Sequence, residues 1–174
     1  SEVFLSSLCG IYYITHCRRS HRKSHQRSSK RHFNGKLMEK ITQKYKNLQD
    51  SITSHCIIMA GHKNPSELKE LRYCETDQAL WDTGATNTII STEIAEELHL
   101  TPIKKSAISG IGGLVNSNVY RVNLYFGKKV RFENIEVLAS DLEDCHLIIG
   151  MDLINKGDFA ITNKDGETWF SFRI

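Results

Sequence analysis

The chain has 174 residues, a length that suits one domain of ordinary size with an extension. Its positive charge is confined to one end: residues 1–37 hold eight basic residues and one acid, whereas residues 38–174 hold fifteen and nineteen, a net charge of −4. The five cysteines include no CxxC pair, so the composition argues against a disulfide framework or a zinc knuckle and predicts reduced thiols in a cytoplasmic protein.

Residues 1–37 are predicted to be a basic, disordered extension. The apolar run at 3–14 is shorter than the roughly 18 to 20 residues that span a bilayer, so no transmembrane segment is expected. Positive charge follows this run, whereas it precedes the apolar run of a secretory signal. Three interpretations stay open: a solvated tail, a segment outside the native protein, since no methionine precedes Met38, and, least favoured, a tether to nucleic acid or an anionic membrane through residues 18–36.

From Met38 the sequence becomes orderly. Residues 38–52 are predicted to form a short helix or a linker, because apolar residues recur there at helical spacing: Ile41, Tyr45, Leu48 and Ile52. Strands are predicted next, at 55–61, 71–75 and 78–82, with a turn at 63–67.

An amphipathic helix is predicted to follow Ser91. Ser91 is its expected N-cap, Glu93 lies near the positive end of the helix dipole, and the expected buried face is Ile94, Ala95 and Leu98.

The remainder reads mostly as strand, with a short helix after Asp152. The predicted strands lie at 103–109, 119–126, 130–132, 135–139, 158–162 and 167–174. Many short strands with one or two short helices predict a mainly β fold, a small and partly closed β-barrel, with its domain at residues 53–174.

Asp82 interrupts a strand that otherwise looks buried, in the stretch ALWDTGATNTIIS (79–91). Gly84 permits a sharp turn directly after the carboxylate. A carboxylate held in a cleft needs a group that shares its proton or its charge, and one chain offers no obvious partner. These residues alone leave two interpretations open, an aspartate that caps a turn and an aspartate that performs chemistry.

Two glycine-containing stretches follow in order, SGIGGLV (109–115) and LIIGMD (147–152). The succession of ALWDTGATNTIIS, SGIGG and HLIIGMDLI resembles the retropepsin-like aspartic proteases, the single-lobed relatives of pepsin, and is most similar to the non-viral, bacterial members. The resemblance covers roughly residues 53–174. It implies the acid-protease type of barrel and an aspartic endopeptidase that acts on peptides or proteins without a metal or cofactor.

The resemblance also implies a homodimer in which each chain supplies one Asp82. Two such carboxylates share one proton, because like charges about 3 Å apart do not both ionise, and together they activate a water. Thr83 would hydrogen-bond across the dimer, and Gly84 would let the substrate backbone lie close. The implied substrate-binding residues are Ala85, Thr86, Asn87, Gly110, Ile111, Gly112, Gly113, Ile148 and Ile149, of which 110–113 form a flap.

Other residues are assigned around this set. Gly150 matches the glycine packed beneath the aspartate loop, and Ile89 is a further expected pocket wall. Trp81 is interpreted as core packing beside the site, with a substrate contact as the alternative. Asp152 is interpreted as a helix N-cap rather than a second catalytic acid. Adjacent cysteine and histidine pairs point to opposite faces of a strand, so no metal site is expected.

Two departures from the family pattern support an alternative function. Many viral members carry an acid at the position of Thr86 and an arginine at the position of Met151, and these two groups pair at the dimer interface. Both are absent here. The alternative is therefore a non-catalytic peptide-binding or scaffold module that retains the fold.

Overall fold

The computed structural model describes residues 32–33, 36–37, 39–61, 72–110 and 113–174. The first half contains β1 (His32–Phe33), β2 (Lys36–Leu37), β3 (Lys40–Tyr45), β4 (Thr53–Ala60), β5 (Tyr73–Trp81), β6 (Ile89–Ser91) and α1 (Thr92–Glu97). The second half contains β7 (Lys104–Gly110), β8 (Gly113–Phe126), β9 (Val130–Ser140), β10 (Leu147–Ile149), α2 (Met151–Ile154), β11 (Asp158–Lys164) and β12 (Glu167–Arg173). The predicted mainly β fold with short helices is confirmed.

Six strands form a closed barrel in the order β4-β5-β10-β6-β9-β8, and the ring closes because β8 also pairs with β4. β7 extends from β8 as the second arm of a long hairpin. The β5–β10 and β6–β9 pairs are parallel, and the other pairs in the ring are antiparallel. The predicted barrel is therefore closed rather than partly closed.

The barrel interior is filled by alternate residues of its strands, the pattern expected where one face of a sheet is buried. Its fully buried members include Ile58, Val122, Leu124, Leu147 and Ile149. Helix α1 adds Ile94, Ala95 and Leu98 to this core, and the Ser91 hydroxyl accepts a hydrogen bond from the Ile94 backbone N–H. The predicted cap and apolar face of α1 are confirmed.

A second sheet has the order β11-β12-β3. The helix predicted in residues 38–52 is wrong, because β3 occupies residues 40–45 and pairs with β12. Ile41 and Tyr45 lie four residues apart, a spacing that fits one face of a helix and also one face of a strand. Both side chains pack against the core cluster. Because β3 pairs with β12, the folded domain includes residues 40–45, which precede the domain start predicted at residue 53.

Two predicted breaks fall inside continuous strands. The strands expected at 71–75 and 78–82 join in β5, and those expected at 130–132 and 135–139 join in β9. In β9 the polar Asn134 adopts a positive φ of 54°, and its backbone N–H donates to Asn123 Oδ1 over 2.7 Å, so a side chain of the neighbouring strand preserves the pairing across the irregularity.

The basic segment 18–36 lies almost wholly outside the described residues, as does the turn expected at 63–67. In the part of the chain that the structure describes, no helix has the length and apolarity that crossing a bilayer requires. The division at residue 37 stays a prediction.

Candidate functional site

Asp82 directly follows β5, at the point where this strand leaves the barrel. β5 runs parallel to β10, with Trp81 opposite Ile149, and the Asp82 backbone N–H donates to the Ile149 carbonyl over 3.0 Å. The strand pairing therefore continues up to the aspartate itself. The Asp82 side chain is half-buried, so its position is fixed by the barrel while its carboxylate keeps access to solvent.

The turn after Asp82 orients its carboxylate. The Gly84 backbone N–H donates to Asp82 Oδ1 over 2.8 Å, and the Ala85 N–H lies 3.3 Å from the Asp82 carbonyl oxygen. A Cβ atom at Gly84 would stand 3.1 Å from the same Oδ1, so a side chain at this position would crowd the carboxylate. Asp82 does accept a local turn hydrogen bond, as the turn interpretation requires, and its other carboxylate oxygen forms no hydrogen bond with the described residues.

Gly150 packs directly under this loop. A Cβ atom there would lie 2.5 Å from the Asn87 carbonyl carbon and 3.0 Å from the Ala85 carbonyl oxygen. The next backbone N–H groups bind the loop: Met151 donates to the Ala85 carbonyl over 2.8 Å, and Asp152 lies 3.2 Å from the Thr86 carbonyl. The start of α2 thus fixes residues 85–87 through two backbone hydrogen bonds and the close packing of Gly150.

Thr88 is the residue of this site that the sequence analysis missed. It is fully buried, its hydroxyl donates to Asp152 Oδ1 over 2.7 Å, and the Gly150 backbone N–H lies 3.2 Å from the same hydroxyl. The interpretation of Asp152 as the N-cap of α2 is wrong, since the N-cap is Gly150 and Asp152 stands in the first turn. The carboxylate of Asp152 is instead a structural acceptor for Thr88. The only signal in the sequence is a polar residue placed just before an apolar strand.

The other predicted catalytic and substrate-binding residues fall into three groups. In the loop, Thr83, Gly84, Thr86 and Asn87 are exposed and Ala85 is half-buried. Gly110 and Gly113 pair at the end of the β7–β8 hairpin, whereas Ile111 and Gly112 lie outside the described residues. On the barrel, Ile89 and Ile148 are half-buried and lie opposite each other in the β6–β10 pair.

Ile149 is misassigned as a pocket wall. It is fully buried, and its neighbour Ile148 points to the opposite face of β10. A side chain without exposed surface contacts the core rather than a substrate.

Trp81 anchors the strand end behind Asp82. It is 5% exposed, its indole Nε1–H donates to Ser54 Oγ over 3.0 Å, and its ring lies 4.9 Å from that of Phe172 and 5.1 Å from that of Phe170. The interpretation of Trp81 as core packing is confirmed. A large buried aromatic side chain with a satisfied N–H leaves β5 little freedom next to the carboxylate.

A thiol that the charge of Asp82 affects is that of Cys145, in the loop before β10. Burial raises the pKa of the Cys145 thiol, and the negative charges of Asp144 and Asp82 raise it further. The thiol is therefore protonated at neutral pH and a poor nucleophile. His146 Nδ1 lies 2.9 Å from the Thr76 hydroxyl, and the described residues hold no group of three or more histidine, cysteine or acidic side chains placed to bind a metal.

The chain is similar to proteins of known family in one sequence segment and in its fold. Residues 75–153, which run from β5 to α2, match the family model described as aspartyl protease. Among solved structures, the chain is similar to a retropepsin-like aspartic protease from Rickettsia conorii, with 14% identity over 78% of this chain and 94% of that one and a TM-score of 0.45. It is also similar to the EIAV protease complexed with the inhibitor HBY-793, with 21% identity over 63% of this chain and 90% of that one and a TM-score of 0.43. No curated protein sequence matches the chain.

Proposed function

We propose, from the membership of residues 75–153 in the aspartyl protease family, that the chain is an aspartic endopeptidase whose active site forms between two copies. The observation that carries the proposal is the Asp82 loop: a carboxylate fixed by strand pairing, oriented by the Gly84 N–H and open to solvent on one side. The substrate is a peptide or protein segment.

The reaction follows from two such carboxylates. With one proton shared between the two Asp82 side chains, the ionised member takes a proton from a water held between them. The oxygen of that water attacks the scissile peptide carbonyl. The protonated member hydrogen-bonds the carbonyl oxygen as negative charge develops there, and a proton passes to the leaving nitrogen as the C–N bond breaks. These residues supply the acid and the base without a cofactor.

The neighbouring residues have supporting roles in this proposal. The exposed Thr83 side chains of the two copies fix the paired loops relative to each other. Gly84 leaves room for substrate backbone, and an extended peptide binds between the loop and the β7–β8 hairpin, residues 110–113, which closes over it. Half-buried Ile148 and Ile89 provide apolar walls for substrate side chains.

The proposal is tested by Asp82→Asn, which keeps the shape of the side chain and removes its negative charge. We expect cleavage of a peptide library to fall at least about a thousandfold while the thermal unfolding midpoint stays close to that of the wild type. Asp165→Asn is the matched control, because Asp165 lies in the β11–β12 turn with a φ of 53° that asparagine also adopts. Cleavage that survives in purified Asp82→Asn would refute the proposal.

The alternative is a non-catalytic peptide-binding module with the same fold. It is favoured by Thr86 and Met151, which replace the ion pair of many viral members, so one interface contact of those enzymes is absent here. A stable monomer that binds peptides and cleaves none between acidic and neutral pH supports this alternative. The cytoplasmic location stays a prediction, and so does the nucleic-acid or membrane tether in residues 18–36.

A further inference from the structure

The sheet β11-β12-β3 packs on the core with one face only. In its central strand, Phe170 and Phe172 are buried in the core, and the alternate residues Trp169 and Arg173 are exposed on the opposite face. We call this opposite side the outer face, and no element among the described residues covers it. The outer face consists of Lys40, Thr42 and Lys44 of β3, Asp158, Ala160, Thr162 and Lys164 of β11, and Glu167, Trp169, Ser171 and Arg173 of β12.

Trp169 is the aromatic side chain of the outer face. It lies on the middle strand, between Lys44 of β3 and Thr162 of β11, and it is 43% exposed. Its indole N–H donates no hydrogen bond to the described residues, whereas the N–H of the buried Trp81 donates to Ser54. An exposed indole with a free donor offers a ligand both a flat surface for stacking and a hydrogen bond.

The outer face carries more positive than negative charge. It holds four lysine or arginine side chains and two acids, a net charge of +2, whereas residues 38–174 as a whole have a net charge of −4. Both acids form ion pairs within the face, Glu167 with Lys44 over 2.6 Å and Asp158 with Arg173 over 2.9 Å. Exposed pairs of this kind are weak, so a phosphate can replace either carboxylate as the partner of the cation. A positive face on a negative domain favours an anionic partner.

The position of the exposed ring among these cations favours one class of anion. Lys44 Nζ lies 4.8 Å from the centre of the Trp169 ring, so a group stacked on this ring has a cation beside it. A single-stranded nucleic acid offers a flat base and a phosphate at every nucleotide, and bases stack on exposed aromatic side chains while phosphates contact lysine and arginine. In a duplex the bases stack on each other instead.

We propose that the outer face binds single-stranded nucleic acid, with a base stacked on Trp169 and phosphates held by the cations around it. This inference goes beyond the proposed function and does not depend on it, because the outer face lies on the side of the sheet opposite the core and includes none of the residues assigned to the Asp82 site.

The first test concerns stacking. Binding of a labelled oligouridylate to the full chain is measured by fluorescence anisotropy, and Trp169→Thr should weaken it about tenfold. Tyr73→Thr is the matched control, because Tyr73 is an aromatic residue of β5 in the barrel that is 48% exposed, and its affinity should stay within about twofold of the wild type. A duplex of the same length should bind Trp169→Thr and the wild type equally, because its bases are not free to stack on the indole.

The second test concerns charge. Lys164→Gln should reduce the slope of log affinity against log salt concentration by about 0.7, the contribution of one phosphate contact to a single strand. Lys128→Gln, in the exposed turn after β8, is the control and should leave the slope unchanged. Residues 18–36 hold eight basic residues and are present in every variant, so any binding by that segment is common to all measurements. Equal thermal unfolding midpoints establish that the variants are folded.

The inference is overturned if the wild type does not bind the oligouridylate, if Trp169→Thr binds it as tightly as the wild type, or if Lys164→Gln keeps the full salt slope. Binding to phosphatidylserine vesicles that requires Trp169, without binding to the oligouridylate, would assign the outer face to a membrane and also overturn it. The two proposals fail separately. Peptide cleavage by Trp169→Thr should equal that of the wild type, and a wild type that cleaves no peptide leaves the oligouridylate measurements unaffected.

Discussion

Gly150 is the residue on which the shape of the Asp82 loop depends most directly. A Cβ atom at this position would lie 2.5 Å from the backbone carbonyl carbon of Asn87. Backbone atoms, unlike the end of a long side chain, can move away only if the loop itself moves. The Thr88 hydroxyl accepts from the Gly150 N–H and donates to the Asp152 carboxylate, so these hydrogen bonds also fix Gly150 relative to the loop. A change at Gly150 is therefore transmitted to residues 85–87.

Gly150→Ala should destabilise the fold by about 1–3 kcal/mol, because the added methyl would lie 2.5 Å from the Asn87 carbonyl carbon and the loop must shift. It should also lower peptide cleavage, since the shift displaces the loop that orients Asp82. Urea unfolding and the cleavage assay measure the two effects. Gly127→Asn is the control, because no atom lies within 4 Å of a Cβ there and asparagine tolerates its φ of +61°. Equal unfolding midpoints for Gly150→Ala and the wild type would contradict the prediction.

Cys145 reports on the charge near the site. The thiolate is disfavoured by burial first, then by the carboxylates of Asp144 and Asp82, which together raise the pKa of the Cys145 thiol. A negative charge near a thiol opposes a second negative charge, so removing one carboxylate favours the thiolate.

Asp144→Asn should lower the pKa of Cys145 and raise its rate of alkylation at a fixed, mildly alkaline pH by about two- to threefold. The gain should shrink as salt is added, because Asp144 is exposed and its field is screened. Peptide mapping after timed iodoacetamide pulses measures Cys145 separately from the other cysteines. Asp165→Asn is the control, and an unchanged rate for Asp144→Asn at low salt would show that its charge does not act on Cys145.

Among the elements, β3 shows that a local sequence pattern alone does not always distinguish a helix from a strand. Its apolar residues fit a helix and a strand equally well, and the decision comes from β12, more than a hundred residues later, whose Phe170 and Phe172 stand opposite Gln43 and Ile41. The bounds of α1 and of the C-terminal hairpin followed from local signals such as the Ser91 cap. The other strands depend on pairing between distant segments, because the partner strand determines which face of a strand is buried and in which register the two strands pair.

Removal of β3 tests its place in the fold. A chain that starts at residue 53, the boundary predicted from sequence, should lose most of its cooperative unfolding transition, because one edge of β12 and the core contacts of Ile41 and Tyr45 are lost. A chain that starts at Met38 retains β3 and should unfold like the full chain. Differential scanning calorimetry of the three chains measures the difference. A two-state transition of the shorter chain near the wild-type temperature would contradict the role of β3.

The parts of the site that could be predicted are those whose residues lie close together in the sequence. Asp82 and Gly84 share one turn, and Gly150 ends an apolar strand, so their positions could be inferred from short motifs. Thr88 and Asp152 could not be connected, since their hydrogen bond joins residues 64 positions apart. Ile148 and Ile149 are identical in type, and only the pairing of β10 decides that Ile149 faces the core.

At the scale of the whole molecule, one chain contains half of the proposed active site. In the described residues no second carboxylate is hydrogen-bonded to Asp82, so the proposed acid and base both depend on another copy. Activity should then depend on association as well as on folding. A chain that folds well and associates weakly would be inactive at low concentration, and this separates folding from activity.

Mixing wild type with folded Asp82→Asn tests this dependence directly. If dimers form at random in an equal mixture, about a quarter of them hold two Asp82 residues, so activity per wild-type chain should fall to about half at a total concentration well above the dissociation constant. A threefold excess of Asp82→Asn should lower it to about a quarter. An inert protein at the same mass is the control and should leave the rate unchanged. Activity proportional to the wild-type chain alone, at every ratio, would mean that one Asp82 suffices and that the chain does not use a shared pair.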